Sequence, residues 1–480
     1  MISDNMQKFY INGKWVEPIS KNRMGVENPA TEEIVAQVAL GNDADADAAI
    51  MAARAAFDAY TVWPVAKRIA LVKRVLKIYN ERYEDFAQAM STEMGAPIEW
   101  ARGAQAWAGQ VHLESTIKAA EEMVWEYSRG STRIIYEGIG VCALITPWNW
   151  PMNQIVCKVA PALIAGCTMV LKPSEIAPLS GVLFAEVCHA AGVPPGVFNL
   201  VNGTGPEVGA RISAHPEVDM VSFTGSARAG TVVAAAAAPT VKRVAQELGG
   251  KSANIILPSA DLAEAVKGGV EGCFGNTGQS CDAPTRMFVP RAAHAQALEL
   301  AKATAEAVVP GDPQAEGTTM GPLISKLQFD KVQRLIQTGI DEGATLVTGG
   351  VGRPAGLNRG WFCKPTIFGD VTHEMTVSRE EIFGPVLAIL PYDSVDDAVR
   401  MANDSLYGLA AYVSGPVSDA IPVARRLRAG TVNLNYPAWD TFAPFGGYKQ
   451  SGNGREYADW GIHDFCEVKG IVGYGEQDRT

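Results

Sequence analysis

The sequence predicts an α/β protein of two lobes, each a mostly parallel sheet covered by helices on both faces. Three observations carry this. From Thr168 onward, short apolar runs alternate with stretches long enough for a crossover helix, the pattern of parallel strands buried on both sides. The 480 residues correspond to about three domains at roughly 150 residues each. A hydrophobic content of 47% with 48 Gly and 28 Pro is ordinary globular composition, which excludes disordered, collagen-like and coiled-coil chains.

Taken in order, the first third reads as helical. Asp43 to Tyr60 puts Ile50, Ala53 and Phe57 on one face, with Asn42 or Asp43 as its cap, and Arg68 to Met90 and Gly103 to Tyr127 behave similarly. Arg133 to Glu137 and Val141 to Ile145 are β-prone runs split by Gly138 and Gly140, read as a hairpin or a pair of edge strands. Thr168 to Leu171, Val197 to Val201, Met220 to Phe223, Val241 to Ala245 and Ala253 to Leu257 supply the strands of the alternating region. A second set follows: a helix from Asp261 to Phe274, a strand Met287 to Val289, helices Ala293 to Ala307 and Lys326 to Glu342, and strands near Leu346, Ile367, Val386 and Tyr412. The seam between lobes falls near Gly249 and Gly250, and a terminal strand, Glu467 to Val472, pairs with the early hairpin or with another subunit.

Charge and cysteine usage narrow the function. Lys and Arg number 41 against 52 Asp and Glu, a net charge of −11 without a long basic run, so neither nucleic acid nor an anionic membrane surface is expected as a partner. Met1 to Tyr10 is polar, and no apolar run reaches membrane-spanning length, so a cytoplasmic protein is expected. The eight cysteines contain no CxxC, and the six histidines do not pair with them at zinc spacing; free thiols and no metal are expected.

Several motifs carry chemistry. Gly203-Thr-Gly205 follows a strand and opens a helix but misses the GxGxxG spacing by one residue, so alone it is a turn as readily as a phosphate cradle. Phe223-Thr-Gly225-Ser226 also follows a strand, with amides at a helix N-terminus where the dipole favours phosphate. Lys172-Pro-Ser174-Glu175 ends another strand, and its carboxylate suits ribose hydroxyls while repelling a 2′-phosphate. Gly275-Asn-Thr-Gly-Gln-Ser-Cys281 places a cysteine on a glycine-bearing turn between helix and strand, where a sulfur is exposed and an amide points at its target. No histidine lies near it in sequence, which leaves a Cys/His hydrolase unsupported; upstream, Glu247-Leu-Gly-Gly-Lys-Ser supplies a carboxylate at a strand end instead. In Thr146-Pro-Trp-Asn-Trp-Pro, Asn149 either donates to an oxyanion or simply turns the chain between two packing tryptophans.

Together with Glu380-Glu381-Ile-Phe383-Gly-Pro and Pro444-Phe-Gly-Gly-Tyr-Lys-Gln-Ser-Gly-Asn-Gly454, these motifs resemble, in order and over nearly the whole chain, the NAD(P)-dependent aldehyde dehydrogenase superfamily in its hydrolytic, non-acylating branch. The resemblance implies a Rossmann-like NAD-binding domain (1–120 and 141–249), a catalytic domain (250–450) and a small β oligomerisation element (121–140 and 451–480), assembled as a homo-oligomer, a dimer or dimer of dimers. It implies Cys281 as nucleophile on an aldehyde, Asn149 with the Cys281 amide as oxyanion holder, and Glu247 as the base that hydrolyses the thioester. Thr146, Trp148, Lys172, Ser174, Glu175, Gly205, Gly225, Ser226 and Leu248 would line the NAD site, with Glu381 on the nicotinamide ribose and Phe383 against the ring.

Where the aldehyde should sit, the chain departs from the family's pattern. Trp150 replaces a common phenylalanine, Cys157 stands where a bulky aromatic is frequent, Asp282 follows the nucleophile, and Trp439 forms the other wall. These imply an aromatic or medium-chain aldehyde or semialdehyde. The ending Asp-Phe-Cys466-Glu-Val-Lys is similar to bacterial enzymes acting on ω-oxo acids or aryl semialdehydes. The alternatives are a CoA-acylating dehydrogenase, a branch without the glutamate base, and a silent structural descendant, which would have lost Cys281, Glu247 or Asn149.

Overall fold

The computed structural model describes residues 3–475; the ends of two expected segments, residues 1–2 and 476–480, lie outside it. The first sheet has eight strands in the order Gly452–Asn453, Arg243–Glu247, Met220–Thr224, Val141–Ile145, Thr168–Lys172, Phe198–Leu200, Phe9–Ile11, Lys14–Val16. Its five central strands are parallel and its outer pairings antiparallel. The second sheet runs Thr345–Thr348, Thr366–Gly369, Val386–Tyr392, Arg286–Pro290, Ala253–Ile256, Ala410–Ser414, Thr431–Leu434, antiparallel only at the Thr345–Thr348 edge.

Both faces of each sheet are packed, and the strand residues show it by alternation. Cys142, Leu144, Met169 and Leu171 enter one apolar core while Val141, Ala143, Ile145 and Val170 enter another. In the second sheet Ile255 and Phe288 part from Ile256 and Met287 in the same way. Full burial on both sides, at about 1.5–3 kcal/mol per large apolar side chain, explains why these strands are continuous apolar runs.

Glu247 ends the last parallel strand of the first sheet and Ala253 begins the second sheet, with five residues between. The strand expected from Val241 begins at Arg243 instead, because Val241 sits in the left-handed region (φ +56) after a short 3-10 turn. That shift sets Glu247 at the carboxyl edge of the sheet. Asn42 caps the Asp43–Thr61 helix by accepting from the Ala44 and Asp45 amides, and Asp45 returns the bond to the Asn42 amide.

Three expectations are corrected. Arg133–Glu137 and Val141–Ile145 are not a hairpin. Thr132–Gly138 lies between Glu126–Arg129 and Cys466–Ile471 in a separate three-stranded antiparallel sheet, whereas Val141–Ile145 is central in the first sheet. The chain is redirected at Gly140 (φ +137), beside which the Asp219 carboxylate accepts from the Val141 amide. Arg68 to Met90 is two helices, Val65–Glu81 and Tyr83–Met94, broken at Arg82, whose guanidinium pairs with Asp85 and Glu186. Gly103 to Tyr127 is a π-turn, Ala101–Ala106, feeding a helix that stops at Glu122 before the Glu126–Arg129 strand. Residues 3–40 also hold four strands, two of them three residues long and too short to declare themselves by periodicity.

Candidate active site

The Leu262–Phe274 helix runs into a tight turn in which Asn276, Thr277 and Gly278 all have positive φ (52°, 58° and 69°). Two consecutive non-glycine residues there cost about 1–3 kcal/mol each, so the surroundings must hold the turn. Gly278 is confined by the Gly384–Pro385 backbone, since a Cβ would lie 2.2 Å from the Gly384 carbonyl oxygen.

The holding is done by the loop bearing Asn149, which links the Val141–Ile145 strand to the Pro151–Ala165 helix. The Asn276 amide donates to the Asn149 carbonyl (2.8 Å), Gln105 donates to both Asn149 O (3.1 Å) and Asn276 Oδ1 (2.9 Å), and the Trp150 indole donates to Ser280 Oγ (2.8 Å). The buried Asn149 side chain donates one hydrogen to the Gln279 carbonyl (3.0 Å), which fixes the plane of its amide and leaves the other hydrogen free. Gln279 itself is held by the Ile324 amide. Asn276 and Gln279 lie within the Gly275–Cys281 motif, where the sequence gives them no role of their own; no local pattern marks Gln105, which arrives from a distant helix.

Cys281 follows this turn. All eight cysteines are free thiols and seven are buried; Cys281 is half-buried and opens on a cavity of about 250 Å³. Burial, and then the negative charges of Asp282, Glu247 and Glu381, push its thiol well above the ordinary range. Glu247 is 3% exposed and its carboxylate has no hydrogen-bond partner among the described residues. Burial and the neighbouring Glu456 raise it well above the usual carboxylate range, with Lys158 and Arg455 acting in the opposite sense. Glu456 is paired with buried Lys158 and accepts from the Cys157 thiol (3.2 Å). Lys158 and Glu456 went unnoticed in the sequence because they lie far apart and only folding joins them.

The cavity walls are aromatic. Trp150 and Trp439 meet edge to face at 6.0 Å, Tyr412 and Tyr436 stack at 5.1 Å, and Asp282 lies beside Cys281. Cys157 does not belong to this wall: it is fully buried on the Glu456 side of its helix.

The remaining expected residues gather along the carboxyl edge of the first sheet and across the seam. Lys172 Nζ is 2.8 Å from Glu175 Oε2. Ser226 caps the Ala227–Ala237 helix, and the Gly225 amide donates to the Glu247 carbonyl (3.0 Å). Gly205 opens an exposed helical turn; Ser174 is buried where the Thr168–Lys172 strand ends, and the Leu248 amide donates to Ser451. Glu381 accepts from the Gly250 amide (2.9 Å), and burial raises its carboxyl. A Cβ on Gly249 would lie 2.4 Å from Glu381 Oε2. Trp148 and Phe383 meet edge to face at 5.4 Å. A dinucleotide fits this edge: the hydroxyls of Thr146 and Thr224 are buried without partners among the described residues, Glu175 keeps one oxygen free of Lys172, and a helix N-terminus faces the same side.

Fold and site together define an α/β protein of two large, mostly parallel sheets, with a half-buried cysteine near a buried, unpartnered carboxylate where the chain passes from one sheet to the other. A family model, the aldehyde dehydrogenase family, matches residues 15–471. A 3-succinoylsemialdehyde-pyridine dehydrogenase of a Pseudomonas species is 53% identical over 470 residues, 98% of each chain. A mutant of aldehyde dehydrogenase C from Pseudomonas syringae, solved with NAD+ and octanal, matches with a TM-score of 0.98 at 53% identity, covering 99% of this chain and 98% of that one. Betaine aldehyde dehydrogenase from Staphylococcus aureus, in complex with NAD+, matches at 0.95 and 34% identity over 99% and 96%. The chain belongs to the aldehyde dehydrogenase family. Its activity is the NAD-dependent oxidation of an aldehyde. Among the described residues no helix is long and apolar enough to cross a membrane.

Proposed function

We propose that this enzyme oxidises an aromatic or medium-chain aldehyde to its carboxylic acid through a covalent adduct on Cys281, with NAD preferred over NADP. The observation that carries it is Cys281 itself: of eight thiols it alone is not buried, and it stands on a strained turn at the wall of an aromatic cavity. The octanal bound to the Pseudomonas syringae relative and the aryl semialdehyde in the Pseudomonas dehydrogenase's name support the substrate class.

In this reading Cys281 Sγ attacks the carbonyl carbon. The charge that develops on oxygen is met by the free Asn149 hydrogen and the Cys281 amide, donors of a kind whose loss typically costs about two to three orders of magnitude in rate. NAD, when bound, supplies the hydride acceptor. Glu175, Lys172 and Ser226 would hold its adenosine and pyrophosphate, and Glu381 its second ribose. Glu247, whose carboxyl burial raises above the usual range, is a stronger base than an ordinary carboxylate. It activates the water that cleaves the thioester and returns the Cys281 thiol. The same base argues against a CoA-acylating enzyme, which needs no such residue.

The first sheet would form the NAD-binding unit (1–120 and 141–249) and the second the catalytic unit (250–450), with 121–140 and 451–480 as the oligomerisation element. Val468 (61% exposed) and Ile471 (40%) lie on an edge strand of the three-stranded sheet, which supports a dimer or dimer of dimers. Eight free thiols suit a cytoplasmic protein. The test is Cys281→Ala: aldehyde oxidation is lost while NAD still binds, and turnover within tenfold of the parent enzyme would refute the assignment.

A further inference from the structure

The cavity beside Cys281 has a sign. Two aspartates line it, Asp282 at the nucleophile and Asp440 next to the 39%-exposed Trp439, and the lining contains no Lys, Arg or His. Neither aspartate has an ion-pair partner among the described residues. The Asp282 carboxylate is left free by Tyr412, whose hydroxyl donates to the Asp282 carbonyl instead (3.2 Å). Among the buried side-chain atoms of the wall that lack partners among the described residues, Asn153 Oδ1 and Gln154 Oε1 are acceptors, and the Tyr436 hydroxyl is the one able to donate. The rest of the wall is aromatic, so charges in it are poorly screened.

Resting on the aldehyde-oxidising reading, we propose that this tunnel is a charge filter: Asp282, with Asp440 at the mouth, excludes aldehydes whose tail ends in a carboxylate and admits neutral or cationic tails. Asp282 is thereby a specificity-determining residue. A carboxylate tail brings negative charge to a wall that already carries it in two aspartates, and the single unpartnered hydroxyl, of Tyr436, does not neutralise it. The neutral tail loses nothing, and a cationic tail gains the aspartates and the faces of the aromatic rings. This separates aryl and alkyl aldehydes, as substrates, from ω-oxo acids of the same length. At effective dielectric constants typical of partly buried pairs, two like charges a few ångströms apart weaken binding by about thirtyfold or more.

The experiment uses the intact enzyme with NAD and three eight-carbon aldehydes ending in methyl, carboxylate or trimethylammonium, with kcat/KM followed by NADH absorbance. The carboxylate-ended compound is expected to fall at least about thirtyfold below octanal, and the trimethylammonium compound to stay within about tenfold of it. In Asp282→Asn the ratio of carboxylate to methyl kcat/KM rises at least about tenfold, and in the exposed Asp440→Asn it rises less. Equal kcat/KM for methyl and carboxylate tails, or a ratio unmoved by both substitutions, overturns the filter while leaving the dehydrogenase reading intact. No NADH from any of the three overturns the dehydrogenase reading itself, and the filter with it.

Discussion

The α-carbon of Gly250 stands against the backbone of Cys281: a Cβ added there would lie 2.3 Å from the Cys281 carbonyl oxygen. The linker between the two sheets thus touches the loop that carries the proposed nucleophile, and only the absence of a side chain permits it. Gly250→Ala must push that loop away from Glu247 and Asn149. A displacement of about 1 Å in a positioned nucleophile costs on the order of a hundredfold in rate. We expect kcat to drop by about that factor with Tm lowered only slightly, checked by steady-state kinetics alongside thermal unfolding. Unchanged kcat would mean that the loop position is irrelevant to the chemistry.

Glu247→Gln separates the two half-reactions. Glutamine keeps the shape and loses the basicity, so acylation proceeds and thioester hydrolysis stalls. One equivalent of NADH per site is released in a burst, and intact mass after rapid quenching shows an acyl adduct on Cys281. Acid release at the parent rate, or turnover restored far above that of water by added CoA in the parent enzyme, would contradict the assignment.

The raised thiol of Cys281 dictates a pH profile. The thiolate is the nucleophile, and burial with Asp282, Glu247 and Glu381 holds the pKa above the ordinary value, so the thiolate fraction keeps rising with pH beyond about 8.5. Alkylation by iodoacetamide should therefore increase steadily from neutral pH into the alkaline range without an early plateau. Glu247→Gln removes one of the negative charges and shifts the profile to lower pH. A slower reaction in that variant would instead make Glu247 the group that deprotonates the thiol.

Glu175 is half held by Lys172, at 2.8 Å on one oxygen. In the proposed reading its negative charge lies where a 2′-phosphate would sit, so Glu175→Gln is expected to narrow the NAD-to-NADP ratio of kcat/KM by about tenfold, the scale of a partly screened like-charge contact. Equal use of both cofactors by the parent enzyme would remove this role.

The residues proposed as reactive sit in local motifs whose glycines exist for steric reasons, which is what makes them visible in a sequence. Gly249 makes room for Glu381, Gly250 for Cys281 and Gly278 for Gly384, so the short sequences encode close approaches. What stayed hidden depends on distant segments meeting. Glu456 reaches Lys158, and Tyr412 and Tyr436 reach the cavity, only through the sheet order. Cys157 was misassigned because the Pro151–Ala165 helix is buried all round and offers no polar stripe to tell which face sees the cavity. Val141–Ile145 was misplaced for a related reason: two glycines in quick succession look the same whether they turn a hairpin or send the chain from one sheet to another.

Seven sealed thiols and one reachable one make the protein its own counting device. Under native conditions a small alkylating reagent should consume one equivalent per competent chain, and the equivalents consumed, set against total protein, give the fraction of a preparation that is alive. Denaturation would expose the other seven and turn the same reagent into a measure of what has unfolded. Purity of the active form and loss of structure can thus be followed on a single chemical scale.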